Sequence, residues 1–210
     1  MPITVDYFIS MNSPWTYLGS GRFREIAKRH KLVVVVKPAR YADVFAQTGG
    51  VPQPKRSPQR RAYRMMELQR WRDHLRIPIV VEPKFYPTSE QRAAHAVIVA
   101  GLQGRDALAL SSEIGRAQWE MEQDIADEAT LLEAGKRAGV DVAAVMRAAQ
   151  EPAELDAIWD ANTREAVERG VFGAPSFVLP SGELFWGQDR LDFLERALER
   201  DRVTSAQNKS

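Results

Sequence analysis

The chain of 210 residues contains no cysteine. This absence excludes disulfide bonds, cysteine-ligated zinc, iron–sulfur clusters and a catalytic thiol supplied by the protein itself. An excess of charge of one sign is also lacking, because 29 Lys and Arg residues against 28 Asp and Glu residues leave a formal net charge of +1. A charge so close to zero provides no overall field that would attract nucleic acid or an anionic membrane. We therefore expect neither as a partner.

Long hydrophobic runs are missing as well. No stretch approaches the roughly 18 continuous apolar residues that indicate a membrane helix. The N-terminal segment Met1-Pro2-Ile3-Thr4-Val5-Asp6 has no basic region and meets an acid before any long apolar run, unlike a secretory signal. These features predict a cytoplasmic protein. The length suits one domain with a sizeable insertion.

The N-terminal part of the chain shows a strand–helix–strand pattern. Ile3 to Ile9 alternate as a strand does, and Trp15 to His30 have helical character. Leu32 to Val36 form a continuous, mostly β-branched run, which predicts a central strand buried on both faces. The chain is therefore expected to open as βαβ.

The C-terminal part shows a hairpin followed by a helix. The strand-like segments Ala174–Leu179 and Glu183–Trp186 flank the turn Pro180-Ser181-Gly182. Asp189 to Leu198 then place apolar side chains on one helical face. The chain is therefore expected to close as ββα.

The middle of the chain, 89–169, has almost only helical patterns. The order βαβ, helices, ββα predicts an α/β protein with a thioredoxin-like fold, whose mixed sheet needs both halves. We expect a discontinuous thioredoxin-like domain of residues 1–47 and 171–202. A loop and an all-helical insertion would occupy residues 48–170, and residues 203–210 would form a loose tail.

The junction Ser13-Pro14-Trp15-Thr16 lies between the first strand and the first helix. In thioredoxin-type proteins a Cys-x-x-Cys pair stands at such a junction, where a helix N-terminus stabilises a thiolate. Serine followed by proline is also an ordinary helix start, with Ser13 as N-cap. The hydroxyl is thus interpreted either as a cap or as a hydrogen-bond donor to a thiolate brought by a ligand.

Two further loops suit ligand binding. Phe172-Gly173-Ala174-Pro175 precedes the third strand, where a cis proline would leave the backbone of Ala174 free to pair with a peptide-like ligand; a trans proline at a strand start is the alternative. Trp186-Gly187-Gln188-Asp189 precedes the last helix, and backbone N–H groups there bind carboxylates. Asp189 is interpreted either as an N-cap or as a partner for a ligand ammonium.

Together these motifs resemble the 2-hydroxychromene-2-carboxylate isomerases, a family related to the kappa-class glutathione transferases and the DsbA-like oxidoreductases. The resemblance spans nearly the whole chain. The segments that carry it are Ser13–Leu18, Tyr63–Trp71 with Ile77-Pro78, Val171–Pro175 and Trp186–Leu191.

The resemblance implies a glutathione-dependent isomerase. Such an enzyme interconverts a cyclic chromene carboxylate and trans-o-hydroxybenzylidenepyruvate in aromatic degradation by reversible thiol addition, and relatives are commonly homodimers. Ser13 matches the catalytic serine that contacts the glutathione sulfur, and Ala174 the residue that pairs with the glutathione backbone. The γ-glutamyl end would be held by Trp186, Gly187, Gln188 and Asp189, and the aromatic carboxylate substrate by Lys55, Arg56 and Tyr86.

This sequence departs from the family pattern at two positions. Many relatives have an acid shortly before the serine, whereas Ile9-Ser10-Met11-Asn12 contains none, and Lys55 stands where asparagine is frequent. Both departures bear on which substrate is used more than on the use of glutathione. A kappa-like transferase that retains the adduct and a non-catalytic thioredoxin-like binding module are the alternatives.

Other charged residues receive structural interpretations. The basic run that includes Arg60, Arg61 and Arg64 is typical of a solvated helix face. The three histidines lack the spacing of metal ligands, so no metal site is predicted and we interpret them as structural or surface residues. They are His30, His74 and His95.

Overall fold

The first strand follows directly from its alternating sequence. In the computed structural model, which describes residues 2–147 and 151–207, β1 spans Thr4–Ile9. Val5, Tyr7 and Ile9 are fully buried in the main apolar cluster, and Phe8 is buried in a second cluster. Both faces of β1 are therefore covered, as expected of the middle of a sheet.

Helices account for most of the chain. The remaining strands are β2 (Val33–Pro38), β3 (Ser176–Val178) and β4 (Leu184–Trp186). The helices are α1 (Pro14–His30), α2 (Tyr41–Thr48), α3 (Pro58–Leu75), α4 (Gln91–Leu102), α5 (Ala107–Trp119), α6 (Glu128–Ala138), α7 (Val142–Arg147), α8 (Pro152–Glu168) and α9 (Leu191–Gln207). Over the described residues, none of these helices has both the length and the apolar character of a membrane span.

The four strands form one mixed sheet in the order β2-β1-β3-β4. β1 runs parallel to β2 and antiparallel to β3, with Tyr7 opposite Phe177. β3 and β4 form the predicted hairpin. The N-terminal and C-terminal halves thus meet between β1 and β3, and the helices α2 to α8 lie between β2 and β3 in the chain. This arrangement confirms the predicted thioredoxin-like fold with a mostly helical insertion.

The prediction that the second strand is central and buried on both faces is wrong. β2 pairs with β1 alone among the described strands and forms an edge of the sheet. Val33 and Val35 are accordingly 46% and 38% exposed. β-Branched residues favour the strand conformation, but burial depends on what the surrounding elements cover.

The sheet and the insertion share one hydrophobic core. The main apolar cluster combines Val5 of β1 and Phe23 of α1 with Val97 of α4, Leu110 of α5 and Leu198 of α9. The insertion therefore packs against the sheet instead of enclosing a core of its own. The proposed domain boundaries at residues 47 and 171 stay a prediction.

The C-terminal helix is longer than expected. α9 begins at Leu191 and continues to Gln207, whereas the sequence predicted a loose tail over residues 203–210. Residues 199–207 contain neither proline nor glycine, so nothing in their sequence ends the helix. Residues 208–210 of the predicted tail lie outside the described residues.

We expect Phe177→Ala to lower the free energy of unfolding by about 3–5 kcal/mol, as truncation of a buried aromatic side chain does. Phe177 is fully buried, and its ring centroid lies 5.0 Å from that of Tyr7 and 4.6 Å from that of Phe23. Urea denaturation measures the loss. The control Phe193→Ala alters a side chain that is 53% exposed and should cost no more than about 0.5 kcal/mol. Equal losses in both variants would contradict this packing.

Candidate functional site

Ser13 forms the N-cap of α1. Its Oγ accepts a hydrogen bond from the backbone N–H of Thr16 at 3.2 Å, and Pro14 occupies the first helical turn. The same hydroxyl donates to the backbone carbonyl of Ala174, 3.4 Å away. The capping interpretation is therefore confirmed. The hydroxyl also faces the second loop that the sequence singled out.

The N-terminus of α1 is electrostatically suited to an anion. The helix has 17 residues and no acid in its first turn, so the partial positive charge of its N-terminus is not compensated there. Pro14 has no N–H, and Ser13 already binds the N–H of Thr16. Among the described groups, none accepts a hydrogen bond from the N–H of Trp15. A thiolate or another anion beside Ser13 would therefore meet a hydroxyl donor and a backbone donor.

The loop before β3 lies opposite Ser13. The Ala174–Pro175 peptide bond is cis, as one of the two sequence-based alternatives predicted. The carbonyl of Gly173 accepts hydrogen bonds from the hydroxyls of Tyr41, at 3.2 Å, and Ser176, at 2.7 Å. Ala174 is half-buried, and its N–H has no acceptor among the groups that the structure describes. This fixed loop thus offers one backbone donor to a ligand.

The segment from Trp186 to Asp189 adjoins the same loop. The N–H of Gly187 donates to the carbonyl of Pro175 at 2.9 Å, and Gly187 has a φ of 105°, which glycine adopts readily. The indole of Trp186 is half-exposed and packs on Phe172, with 4.6 Å between ring centroids. Asp189 is exposed and forms an ion pair with Arg190. The structure therefore brings Ser13, Ala174 and this segment together.

Gln188 differs from its neighbours in this segment. It is buried, and both its side-chain amide oxygen and its backbone carbonyl accept hydrogen bonds from Arg22 of α1. Gly19 of α1 is also in close contact, since a Cβ added at Gly19 would lie 2.9 Å from the Cβ of Gln188. The Gln188 side chain therefore anchors the segment to α1, and a contact with a ligand stays a prediction for this residue.

A polar network behind Ser13 was missed by the sequence analysis. Glu90, just before α4, accepts hydrogen bonds from the hydroxyl of Ser10 at 2.9 Å and from the N–H of Asn12 at 3.1 Å. The Asn12 side-chain amide donates to the carbonyl of Thr88 at 2.8 Å and accepts from Gln118 at 2.8 Å. An acid from the insertion thus contacts the loop before Ser13, which contains no acid of its own. Burial raises the pKa of the Glu90 carboxyl.

Two of the three predicted substrate residues, Arg56 and Tyr86, lie beside Arg64, and these three residues are called the basic wall here. Arg64 Nη2 lies 3.4 Å from the Tyr86 hydroxyl, and the Tyr86 ring packs on Trp119, with 4.8 Å between ring centroids. Burial, followed by the nearby charges of Arg60 and Arg64, lowers the pKa of Arg56. Arg56 and Tyr86 therefore lie in one neighbourhood.

One prediction about the basic residues is wrong, and another stays a prediction. Arg60 and Arg61 are exposed, as a solvated helix face requires, but Arg64 is only 8% exposed, so that interpretation is wrong for Arg64. Arg64 follows Arg60 by one helical turn, and the Arg64 side chain packs against Tyr86. Lys55 is exposed in a short 3₁₀ turn, Gln53–Lys55, and its contact with substrate stays a prediction.

The histidines have structural roles or lie at the surface, as predicted. His30 and His95 are buried and pair with Glu195 at 2.8 Å and Asp156 at 3.1 Å, whereas His74 is exposed. The part of the chain that the structure describes contains no group of three or more His, Asp or Glu residues arranged to hold a metal ion.

These features define a thioredoxin-like protein in which Ser13 and Thr16 replace a redox cysteine pair. The chain belongs to the family of the DSBA-like thioredoxin domain, whose model matches residues 4–199. A 2-hydroxychromene-2-carboxylate isomerase from Sphingobium xenophagum is 27% identical, over 94% of this chain and 99% of that protein. Human glutathione S-transferase kappa 1 is 24% identical, over 94% of this chain and 92% of the transferase.

A solved structure agrees with these sequence relatives. The structure of a 2-hydroxychromene-2-carboxylate isomerase matches with a TM-score of 0.79 and 27% identity, over 99% of this chain and 100% of the other. The resemblance to this family that the motifs predicted is therefore confirmed.

The buried carboxyl of Glu90 predicts a specific dependence of stability on pH. Because the pKa of Glu90 is raised, the folded protein binds this proton more readily than the unfolded chain. The contribution of the protonated Glu90 carboxyl to the free energy of unfolding is fully present below the pKa of the unfolded chain, about 4.3. It is lost as pH rises through the higher pKa of the folded protein. Glu90→Gln should therefore gain stability relative to the natural protein as pH rises from about 4 to 8.

Urea denaturation across this pH range measures the difference. Glu133→Gln is the control of opposite sign, because a hydrogen bond and the charge of Lys136 lower the pKa of the exposed Glu133. The free energy of unfolding of Glu133→Gln should rise slightly, relative to that of the natural protein, as pH falls. The burial of the Glu90 carboxyl would be contradicted if the difference in free energy of unfolding between Glu90→Gln and the natural protein did not vary with pH. It would also be contradicted if Glu90→Gln gained stability as pH falls, as the control should.

Proposed function

We propose that this protein is a glutathione-dependent isomerase that interconverts a cyclic chromene carboxylate and trans-o-hydroxybenzylidenepyruvate. The observation that carries the proposal is the position of the Ser13 hydroxyl at the N-terminus of α1, whose first turn contains no acid, 3.4 Å from the Ala174 carbonyl. The names of the relatives support the reaction type, and the chain itself has no thiol.

The residues around Ser13 fit glutathione in type and arrangement. The N–H of Ala174, which has no acceptor among the described groups, suits a peptide backbone. The Trp186–Asp189 segment provides an exposed indole and a carboxylate for a γ-glutamyl ammonium. When bound, glutathione would supply a nucleophilic thiol that adds reversibly to an unsaturated carbon of the substrate and is eliminated unchanged after a bond has rotated. No net oxidation or reduction accompanies this exchange.

Ser13 would act as a hydrogen-bond donor and not as a nucleophile. Its hydroxyl can leave the long contact with the Ala174 carbonyl and donate to a thiolate, while its oxygen keeps the capping bond to Thr16. The N-terminus of α1 adds a favourable electrostatic interaction with the same negative charge. Both interactions favour the ionised thiol, which is the reactive form.

Two alternative functions are a kappa-like glutathione transferase and a non-catalytic binding module, and each differs from the isomerase in a measurable way. A kappa-like glutathione transferase is favoured by the similarity to human glutathione S-transferase kappa 1. It would consume glutathione stoichiometrically, whereas the isomerase needs only catalytic amounts. A non-catalytic binding module would show no heat when glutathione is added in a calorimeter. We propose in addition a cytoplasmic location, as the sequence features predict, and a homodimer, as the resemblance implies.

Ser13→Ala should lower the turnover of the isomerisation by a factor of about 100 or more, as loss of one preorganised donor does. The absorbance change of the chromene substrate at catalytic glutathione concentrations measures this turnover. Asp106→Ala is the matched control, since Asp106 caps α5 by accepting from the N–H of Ala109 at 2.7 Å. That variant should lose about 1 kcal/mol of stability and keep its turnover.

Near-normal turnover of Ser13→Ala would contradict the catalytic role and leave Ser13 as a helix cap alone. Comparable losses of turnover in both variants would show that capping as such, and not the donor at the site, is what the reaction requires.

A further inference from the structure

Arg64 is a buried cation for which the described residues provide no anionic partner. Its side chain is 8% exposed, and among the described residues no carboxylate lies within ion-pair distance of it. A guanidinium has five N–H donors. Its hydrogen bonds are to the Tyr86 hydroxyl at 3.4 Å and the Met65 sulfur at 3.9 Å, both long, and its guanidinium carbon lies 5.5 Å from the centroid of the Tyr86 ring, a cation–π contact that carries no negative charge. Burial without a counter-charge also lowers the pKa of Arg64.

A second arginine increases this imbalance. Arg56 is half-buried in the same neighbourhood, and its Nε donates to the carbonyl of Val51 at 2.8 Å. Its charge is close enough to that of Arg64 for the two to repel each other. Buried charges in proteins are ordinarily paired, and an arginine fork matches a carboxylate in geometry. The missing partner is therefore expected to be an anion that arrives with a ligand.

The basic wall is connected to Ser13 through a short path of contacts. Arg64 reaches Tyr86, and two residues later Thr88 exchanges hydrogen bonds with Asn12, the residue before Ser13. The Tyr86 and Trp15 side chains pack against the same apolar cluster beside Trp119. Trp15 at the start of α1 and Tyr86 beside Arg64 thus border the same apolar cluster.

We propose that Arg64, with Arg56 beside it, binds the carboxylate of the aromatic substrate, an inference that rests on the proposed function. The carboxylate of the glycine end of glutathione has the same chemistry. The substrate is favoured because the residues that fit glutathione lie on the loops around β3 and β4, whereas both arginines belong to the insertion. Ser13 contacts Ala174 of the first group, and its neighbour Asn12 contacts Thr88 of the insertion.

The test measures binding of trans-o-hydroxybenzylidenepyruvate and of its uncharged methyl ester without glutathione, by calorimetry. Arg64→Met removes the charge at similar length and should raise the Kd of the acid by a factor of about 10 or more, as loss of a charged hydrogen bond does. The Kd of the ester and the Kd of glutathione should change less than about twofold. Arg61→Met, on the exposed side of α3, is the control and should bind the acid normally.

A conservative variant guards against a failure of Arg64→Met to fold. Arg64→Lys retains the charge and loses the planar fork, so it should bind the acid with an intermediate Kd. Its thermal unfolding, recorded beside that of the natural protein, reports on the fold independently of binding.

Three outcomes would overturn the inference. The first is a weakened Kd of glutathione with an unchanged Kd of the acid, which would assign Arg64 to the glycine carboxylate. The second is an equal loss for acid and ester, and the third is an unchanged Kd for the acid. The proposed function fails separately, if the natural protein binds no glutathione while Arg64 still determines the affinity for the acid.

Discussion

The hydroxyl of Ser13 connects the two halves of the thioredoxin-like sheet at the site. It ends α1 by accepting from Thr16 and reaches the Ala174 carbonyl in the loop before β3. The pairing of β1 with β3 brings these two junctions together, although they are 161 residues apart in the chain. The same atom therefore serves the stability of the helix and faces the proposed thiol. Capping and catalysis do not exclude each other here.

The helical insertion supports this junction from behind and supplies its charged side. Glu90 binds the backbone of the loop before Ser13, and Asn12 links that loop to Thr88. Tyr86, two residues before Thr88, contacts Arg64, where the substrate carboxylate is proposed to bind. A thioredoxin-like sheet with two binding loops would suit many peptide-like thiols. The insertion, through Arg64 and Tyr86, is what would select an aromatic acid as the substrate.

Local patterns predicted the features that depend on neighbouring residues in the chain. The alternation in β1, the serine–proline start of α1 and the turn before β4 are each visible within about ten residues. Long-range packing decided the rest. The valines of β2 indicate a strand but not its position at the edge of the sheet. The sequence around Arg64 is that of an exposed helical arginine, and only the packing of the insertion buries it. Glu90 contacts Asn12, which is 78 residues away in the chain. No local pattern in the sequence indicated these contacts.

The central claim is that this site ionises a thiol that the chain itself lacks. A pH titration of the thiolate ultraviolet absorbance of glutathione, free and bound to the protein, tests this claim most directly. We predict that the pKa of the bound thiol lies below that of free glutathione, and that Ser13→Ala moves it back toward the free value. Identical titration curves for free glutathione and for glutathione bound to the natural protein would contradict the account.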